Sequence, residues 1–165
     1  MRTAQNVSAH PCRIDTVFPC RSPCAVPLAV YLAWIMAKLY IAMYQPQKGN
    51  YEHWALYLSN GNEDIVFEVG GQHPKFTKTV METKPENSRR HRRSILVGTI
   101  NEQDLPELRK KMDEVEVDNE TVHWNCQDYV IEAIDHLREE CIIDEDDEDY
   151  ERGRKDAVEN HYGPR

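Results

Sequence analysis

Alternation of apolar and polar residues sets in near Lys38 and organises the stretch that follows. Residues 39–44, 52–58, 64–69, 76–81 and 94–100 are short runs rich in branched and aromatic side chains, separated by Gly, Pro, Asn and Ser. Each predicts a β-strand. Pro46 and Gly49 mark a turn over 45–50, and Asn60-Gly61 marks a hairpin between the second and third strands. Beyond residue 100 the period lengthens. Leu105, Leu108 and Met112 line one face of a helix that Asn101 or Asp104 can cap and that runs to about Val115. Cys126, Tyr129, Val130, Ala133, Ile134 and Leu137 line a second, capped by Asn125 and reaching about Glu140. An acidic run over 144–149 leads into a last helix, roughly 148–160, ended by Gly163-Pro164. Strands first and helices after predict an α+β domain with an antiparallel sheet.

Composition narrows the class. The chain has 165 residues, 40% of them hydrophobic, which suits one domain. Residues 37–165 are expected to form it. Residues 1–36 mix Pro, Cys and isolated charges without periodicity and are expected to be a disordered or non-native extension, with Met36 as an alternative initiator. The apolar stretch 25–37 is shorter than the ~20 residues a bilayer span needs, so no membrane segment is expected. Its length is that of a signal-peptide core. A cytoplasmic protein is expected, a secreted one being the alternative if that stretch is cleaved before Lys38.

The net charge of −9 argues against a nucleic-acid binder. Arg89-Arg90-His91-Arg92-Arg93 is the exception, read as a solvated loop or, less simply, a patch for a charged partner. The five cysteines lack zinc-finger or disulfide-framework spacing, which points to a reducing compartment.

The hairpin places polar chemistry. With Asn60-Gly61 as a two-residue turn, Trp54 opposes Phe67 and Leu56 opposes Ile65 on one face. Ala55 then opposes Val66, and His53 opposes Glu68, on the other. A carboxylate beside an imidazole fixes its tautomer and stabilises the imidazolium. The simpler reading is an exposed cross-strand pair. A one-residue slip would separate the two.

Cys126 stands where a second helix begins. Helix N-termini and a nearby imidazolium favour the thiolate, and first-turn N–H groups can bind an oxyanion. The competing reading is a buried cysteine acting as a small hydrophobe. Cys141 is expected in the core, His136 in solvent, and His73 in a loop bordering a pocket. His123 and Cys126 lack a second pair for zinc. The run 144–149 lacks calcium-loop register. There is no GxGxxG, P-loop or GxSxG, and no cofactor or metal is expected.

His53-Trp54-Ala55-Leu56-Tyr57-Leu58 and Asn125-Cys126-Gln127-Asp128-Tyr129-Val130 resemble the motifs of the permuted papain-like thiol enzymes. That superfamily includes lecithin:retinol acyltransferase-like proteins and some isopeptidases, and it too carries its histidine strand before its cysteine helix. Where the acyltransferase branch has a second histidine, this chain has Glu68. The likeness is closer to small single-domain fungal proteins of unknown function, and runs from Lys38 to Arg165. It implies a papain-like α+β fold.

The expected function is a cysteine-dependent hydrolase or acyltransferase acting on an amide, ester or thioester carbonyl of an unidentified acyl or peptide substrate. Cys126 would be nucleophile, His53 base and Glu68 the group that orients His53. The alternative is an inactive papain-like binding or scaffolding module. Oligomeric state is not legible.

Overall fold

Each of the five apolar runs is too short to stand alone, and they pair into one antiparallel sheet. The computed structural model describes residues 36–46, 50–144 and 146–164. Its strands are β1 (Met36–Tyr44), β2 (His53–Ser59), β3 (Asp64–Gly70), β4 (Thr77–Glu82) and β5 (His91–Asn101). They lie in the order β4-β3-β2-β1-β5. The first four therefore form a meander, and the connection after β4 returns the chain to the far side of β1. Three helices follow: α1 (Leu105–Glu114), α2 (Cys126–Glu139) and α3 (Glu148–His161). The fold is α+β, an antiparallel sheet followed by helices. Among the described residues no helix is long and apolar enough to cross a membrane.

Alternation divides the strand side chains between two layers. Leu39, Ile41 and Met43 of β1, with Trp54, Leu56, Leu58 and Phe67 of β2 and β3, face the helices. There they join Leu108, Met112, Val130, Ile134 and Leu137 in the main core. The opposite face is also buried: Ala42, Tyr44, Ala55, Tyr57 and Val66 form a second cluster, with Tyr40 and Met81 against it. Pro85, in the β4–β5 connection, is buried as well. The neighbouring Glu86 lies close enough for its charge to act on Tyr44 and Tyr57.

The β2–β3 hairpin differs from the sequence expectation. Ala55 pairs with Glu68, Leu56 with Phe67, Leu58 with Ile65 and Ser59 with Asp64. The turn thus holds residues 60–63. Asn60 builds it: its Oδ1 accepts from Asn62 N–H and Glu63 N–H, and its own N–H donates to the Glu63 carbonyl. An Asx-type turn satisfies more backbone groups here than a tight Asn-Gly turn would. His53 and Glu68 are therefore not directly opposite. The displacement is two residues, a whole period of the strand, so both stay on the same face.

Three further expectations are corrected. The basic cluster is not all loop, because His91, Arg92 and Arg93 open β5. Cys141 is exposed, at a left-handed φ of 57° just past α2, so it does not belong to the core. His136 is half-buried rather than solvated, with Nε2 3.8 Å from Glu114. The extension 1–35, with Cys12, Cys20 and Cys24 and most of the apolar stretch 25–37, lies outside the described residues, as do 47–49 of the first turn.

The acidic run has a structural task. Asp147 caps α3 by accepting from Asp149 and Tyr150 N–H, and its other oxygen accepts from Thr99 N–H at 3.1 Å. The helix start is thereby fixed to β5. One turn on, Gly153 lets α3 lie on the β5 backbone, where a Cβ would run into the Leu96 carbonyl. Gly153→Ala should destabilise the protein by about 2 kcal/mol or more, because overlap with backbone outweighs the ~1 kcal/mol that alanine normally adds to a helix. Urea unfolding of the two proteins tests this; a variant as stable as the parent would disprove the close contact.

Candidate functional site

The start of α2 is set by its cap. Asn125 has extended backbone angles (φ −155°), and its Oδ1 accepts from Gln127 N–H at 2.9 Å. Asp128 reaches back with Oδ2 to accept Asn125 N–H at 2.9 Å. This reciprocal capping box makes Cys126 the first helical residue. Trp124 anchors the approach: it is buried, meets Phe76 and Tyr129 edge-on, and donates Nε1–H to Glu132 at 3.0 Å. Cys126 is a free, half-buried thiol.

α2 packs across β2 and β3, and its first turn meets the beginning of β2. The contact there is polar. Gln127 is 0% exposed. Its Nε2 donates to the Glu52 carbonyl at 3.0 Å, and its Oε1 accepts Gly163 N–H at 2.8 Å. The C-terminal segment closes over the same place. Tyr162 donates its hydroxyl to Asp128 Oδ1 at 2.5 Å and sets its ring edge-on to Trp54, and Pro164 bridges to Tyr51.

His53 follows Glu52 as the first residue of β2. Its Nε2–H donates to Glu68 Oε2 at 2.9 Å, with both side chains about one-quarter exposed. This is a diagonal cross-strand contact, the long side chains spanning the offset that the four-residue turn creates. Tyr44 pairs with His53 on one side and with His91 on the other, with ring centroids 5.9 and 5.7 Å apart. One end of the sheet thus carries Glu68, His53, Tyr44 and His91 in a row.

The Gln127–Glu52 bond brings Cys126 beside His53, near enough for the thiol to act on the titration of the imidazole. Burial alone would lower the imidazole's pKa. The hydrogen bonds and negative charge of Cys126 and Glu68 outweigh it and raise the value from 6.5 to about 9. Tyr44 moves with burial: its phenol is pushed up to about 12, with Glu68 and Glu86 adding to the effect, so it remains a neutral hydroxyl. His53 and Glu68 are thus hydrogen-bonded, with Cys126 at the start of the helix beside them. His73, His123 and Cys141 take no part among the contacts described.

Among the described residues, no three His, Cys, Asp or Glu side chains are placed to hold a metal ion. A cavity of about 570 Å³ lies elsewhere, between the α1–α2 connection and α2, lined by Glu114, Glu116, Asp118, Glu120, Glu132 and His136 among others. It holds like charges and no nucleophile. The chemistry is better located by the thiol and imidazole than by the depth of that cavity.

A family model described as a family of unknown function (DUF6540) matches residues 39–144. The chain belongs to that family. No curated protein and no solved structure matches it. The span matched to DUF6540 contains His53, Glu68, Cys126 and Gln127, and ends before α3 and the Tyr162–Pro164 segment.

Sequence reasoning missed Gln127, Tyr44 and the C-terminal segment. Gln127 did leave a signal: it lies three residues before Val130 and seven before Ile134, a polar residue on the apolar stripe of α2. Tyr44 and Tyr162 are aromatic residues like others in the chain, and only tertiary contacts distinguish them.

The elevated His53 value has a definite pH consequence. The unfolded chain's imidazole titrates near 6.5 and the folded one near 9. Protonation therefore stabilises the fold fully below about 6.5, and that contribution is lost as pH rises through about 9. Glu68→Gln should lower the His53 pKa and flatten the stability profile between these limits. Imidazole C–H NMR titration and urea unfolding across pH 6–10 measure both; an unchanged His53 titration in Glu68→Gln would refute the carboxylate's part.

Proposed function

We propose that the protein is a cysteine-dependent hydrolase or acyltransferase with a permuted papain-like arrangement, acting on an amide, ester or thioester carbonyl. The observation that carries this reading is the His53 imidazole bonded to Glu68 next to the point where Gln127, the neighbour of Cys126, holds the Glu52 carbonyl. The histidine strand precedes the cysteine helix in the chain, and α2 begins beside β2, as the permuted order requires.

The chemistry follows from the atoms. Glu68 accepts from His53 Nε2–H. That leaves Nδ1 as the nitrogen able to exchange a proton with the thiol. With the Cys126 proton already held on His53, Sγ bonds to the carbonyl carbon, and the carbonyl oxygen becomes an oxyanion. N–H groups at the start of an α-helix have no intrahelical partner. Gln127 N–H is taken by the Asn125 cap, so Cys126 N–H is the donor nearest the forming oxyanion. Collapse of the tetrahedral intermediate breaks the bond to the leaving group, which takes the proton from His53. Water or an acceptor nucleophile then gives its proton to His53 and attacks the thioester, releasing acid or transferred acyl product and restoring the thiol.

The first test is the pH dependence of Cys126 carboxamidomethylation by iodoacetamide, followed by peptide mass spectrometry. Cys126 should alkylate readily at neutral pH and markedly more slowly in His53→Ala. A panel of aryl esters, acyl thioesters and peptidyl coumarin amides then reads turnover. Cys126→Ala should reduce it by about three orders of magnitude or more while leaving the melting transition intact. A thiol whose profile is the same in wild type and His53→Ala would overturn the catalytic reading and favour a binding module.

A further inference from the structure

We infer that Gln127 is a positioning residue, whose side-chain amide sets the distance between the Cys126 thiol and the His53 ring by bonding to the peptide that leads into β2. This rests on the proposed thiol–imidazole chemistry and extends it to a residue that touches neither substrate nor the reacting atoms.

The argument begins with placement. Gln127 is the residue after Cys126, and the carbonyl it holds belongs to Glu52, the residue before His53. The contact is therefore one residue from the nucleophile on one side and one residue from the imidazole on the other. The elements concerned are otherwise joined by apolar packing of α2 on β2 and β3, which tolerates small sliding. A hydrogen bond of 3.0 Å between two buried groups does not, because displacement leaves an unpaired amide and carbonyl away from water.

The other end of the amide is used as well. Oε1 accepts Gly163 N–H, whose φ of 91° belongs to the left-handed region that glycine enters without cost. With both ends engaged, the side chain cannot flip or swing to release Glu52. Tyr162 adds to the hold by bonding Asp128, the partner of Asn125 in the cap that starts α2 at Cys126. An apolar residue would fill this volume with less desolvation, as the surrounding stripe of Val130, Ala133 and Ile134 shows. A glutamine here is explained by the two backbone groups it holds.

The test uses the full chain and two variants. Gln127→Leu removes both bonds. Gln127→Met keeps the length of the side chain without charge and loses both polar ends; it carries the test should the leucine variant not fold. Two quantities are read on folded protein: the His53 titration by NMR, with Glu68, Cys126 and Tyr44 as the groups around it, and the pH profile of Cys126 alkylation by iodoacetamide.

We expect the His53 pKa to fall by about one unit or more, a tenfold change in its protonation ratio. The alkylation profile should move toward that of His53→Ala. The double variant His53→Ala/Gln127→Leu should then alkylate like His53→Ala alone, since Gln127 acts through the imidazole. A Gln127 variant that melts earlier but keeps the wild-type His53 titration and alkylation profile would overturn the proposal and leave Gln127 a purely structural residue. Failure of the underlying chemistry gives a different result, an alkylation profile in which wild type and His53→Ala already coincide.

Discussion

The junction between the first turn of α2 and the beginning of β2 is the constraint on which the site depends. Its geometry is fixed twice over, by the capping box that begins the helix at Cys126 and by the Gln127 amide buried against the Glu52 carbonyl. Apolar packing alone would bring the helix to the sheet without fixing its advance along the strand. Directional bonds in a water-free contact supply that missing coordinate, since each is costly to leave unmade.

The sheet supplies the rest of the site through its two-sidedness. One face carries the residues that pack under the helices, and the other carries Ala42, Ala55, Val66 and the tyrosines. His53 and Glu68 belong to this second face, at the end where β2 begins. Burial of both faces has an electrostatic effect. A half-buried imidazole would ordinarily lose its proton more easily, yet here its two partners raise its value to about 9. Neighbouring negative charge in a partly desolvated setting outweighs the cost of burying the cation.

The C-terminal segment contributes from outside the span shared with the family. Tyr162, Gly163 and Pro164 each meet a different part of the junction: Asp128 and Trp54, Gln127, and Tyr51. A stretch with no periodicity of its own is thus fixed beside the candidate nucleophile. α3 brings it there, held to β5 through Asp147 at its start and Gly153 in its second turn.

Much of this was legible along the chain. Period-two and helical spacings, each a local consequence of backbone geometry, marked five strands and three helices close to where they lie. The Asn125 cap was legible because capping is decided within four residues. His53 and Glu68 were placed on one face by parity, and the two-residue error in register preserved it. The error arose because Asn60 bonds to Asn62 and Glu63, a choice between two local turns that the Asn-Gly signal does not resolve.

Cys141 and the start of β5 were misjudged because exposure and strand pairing depend on distant neighbours. The sequence by itself determined which elements form, which side chains share a face and that a thiol begins α2. Tertiary packing was needed to bring the start of α2 to His53 and to let Gln127 and the C-terminal segment hold the junction. Those contacts join residues far apart in the chain, whose approach follows from packing and buried hydrogen bonds rather than from local propensity.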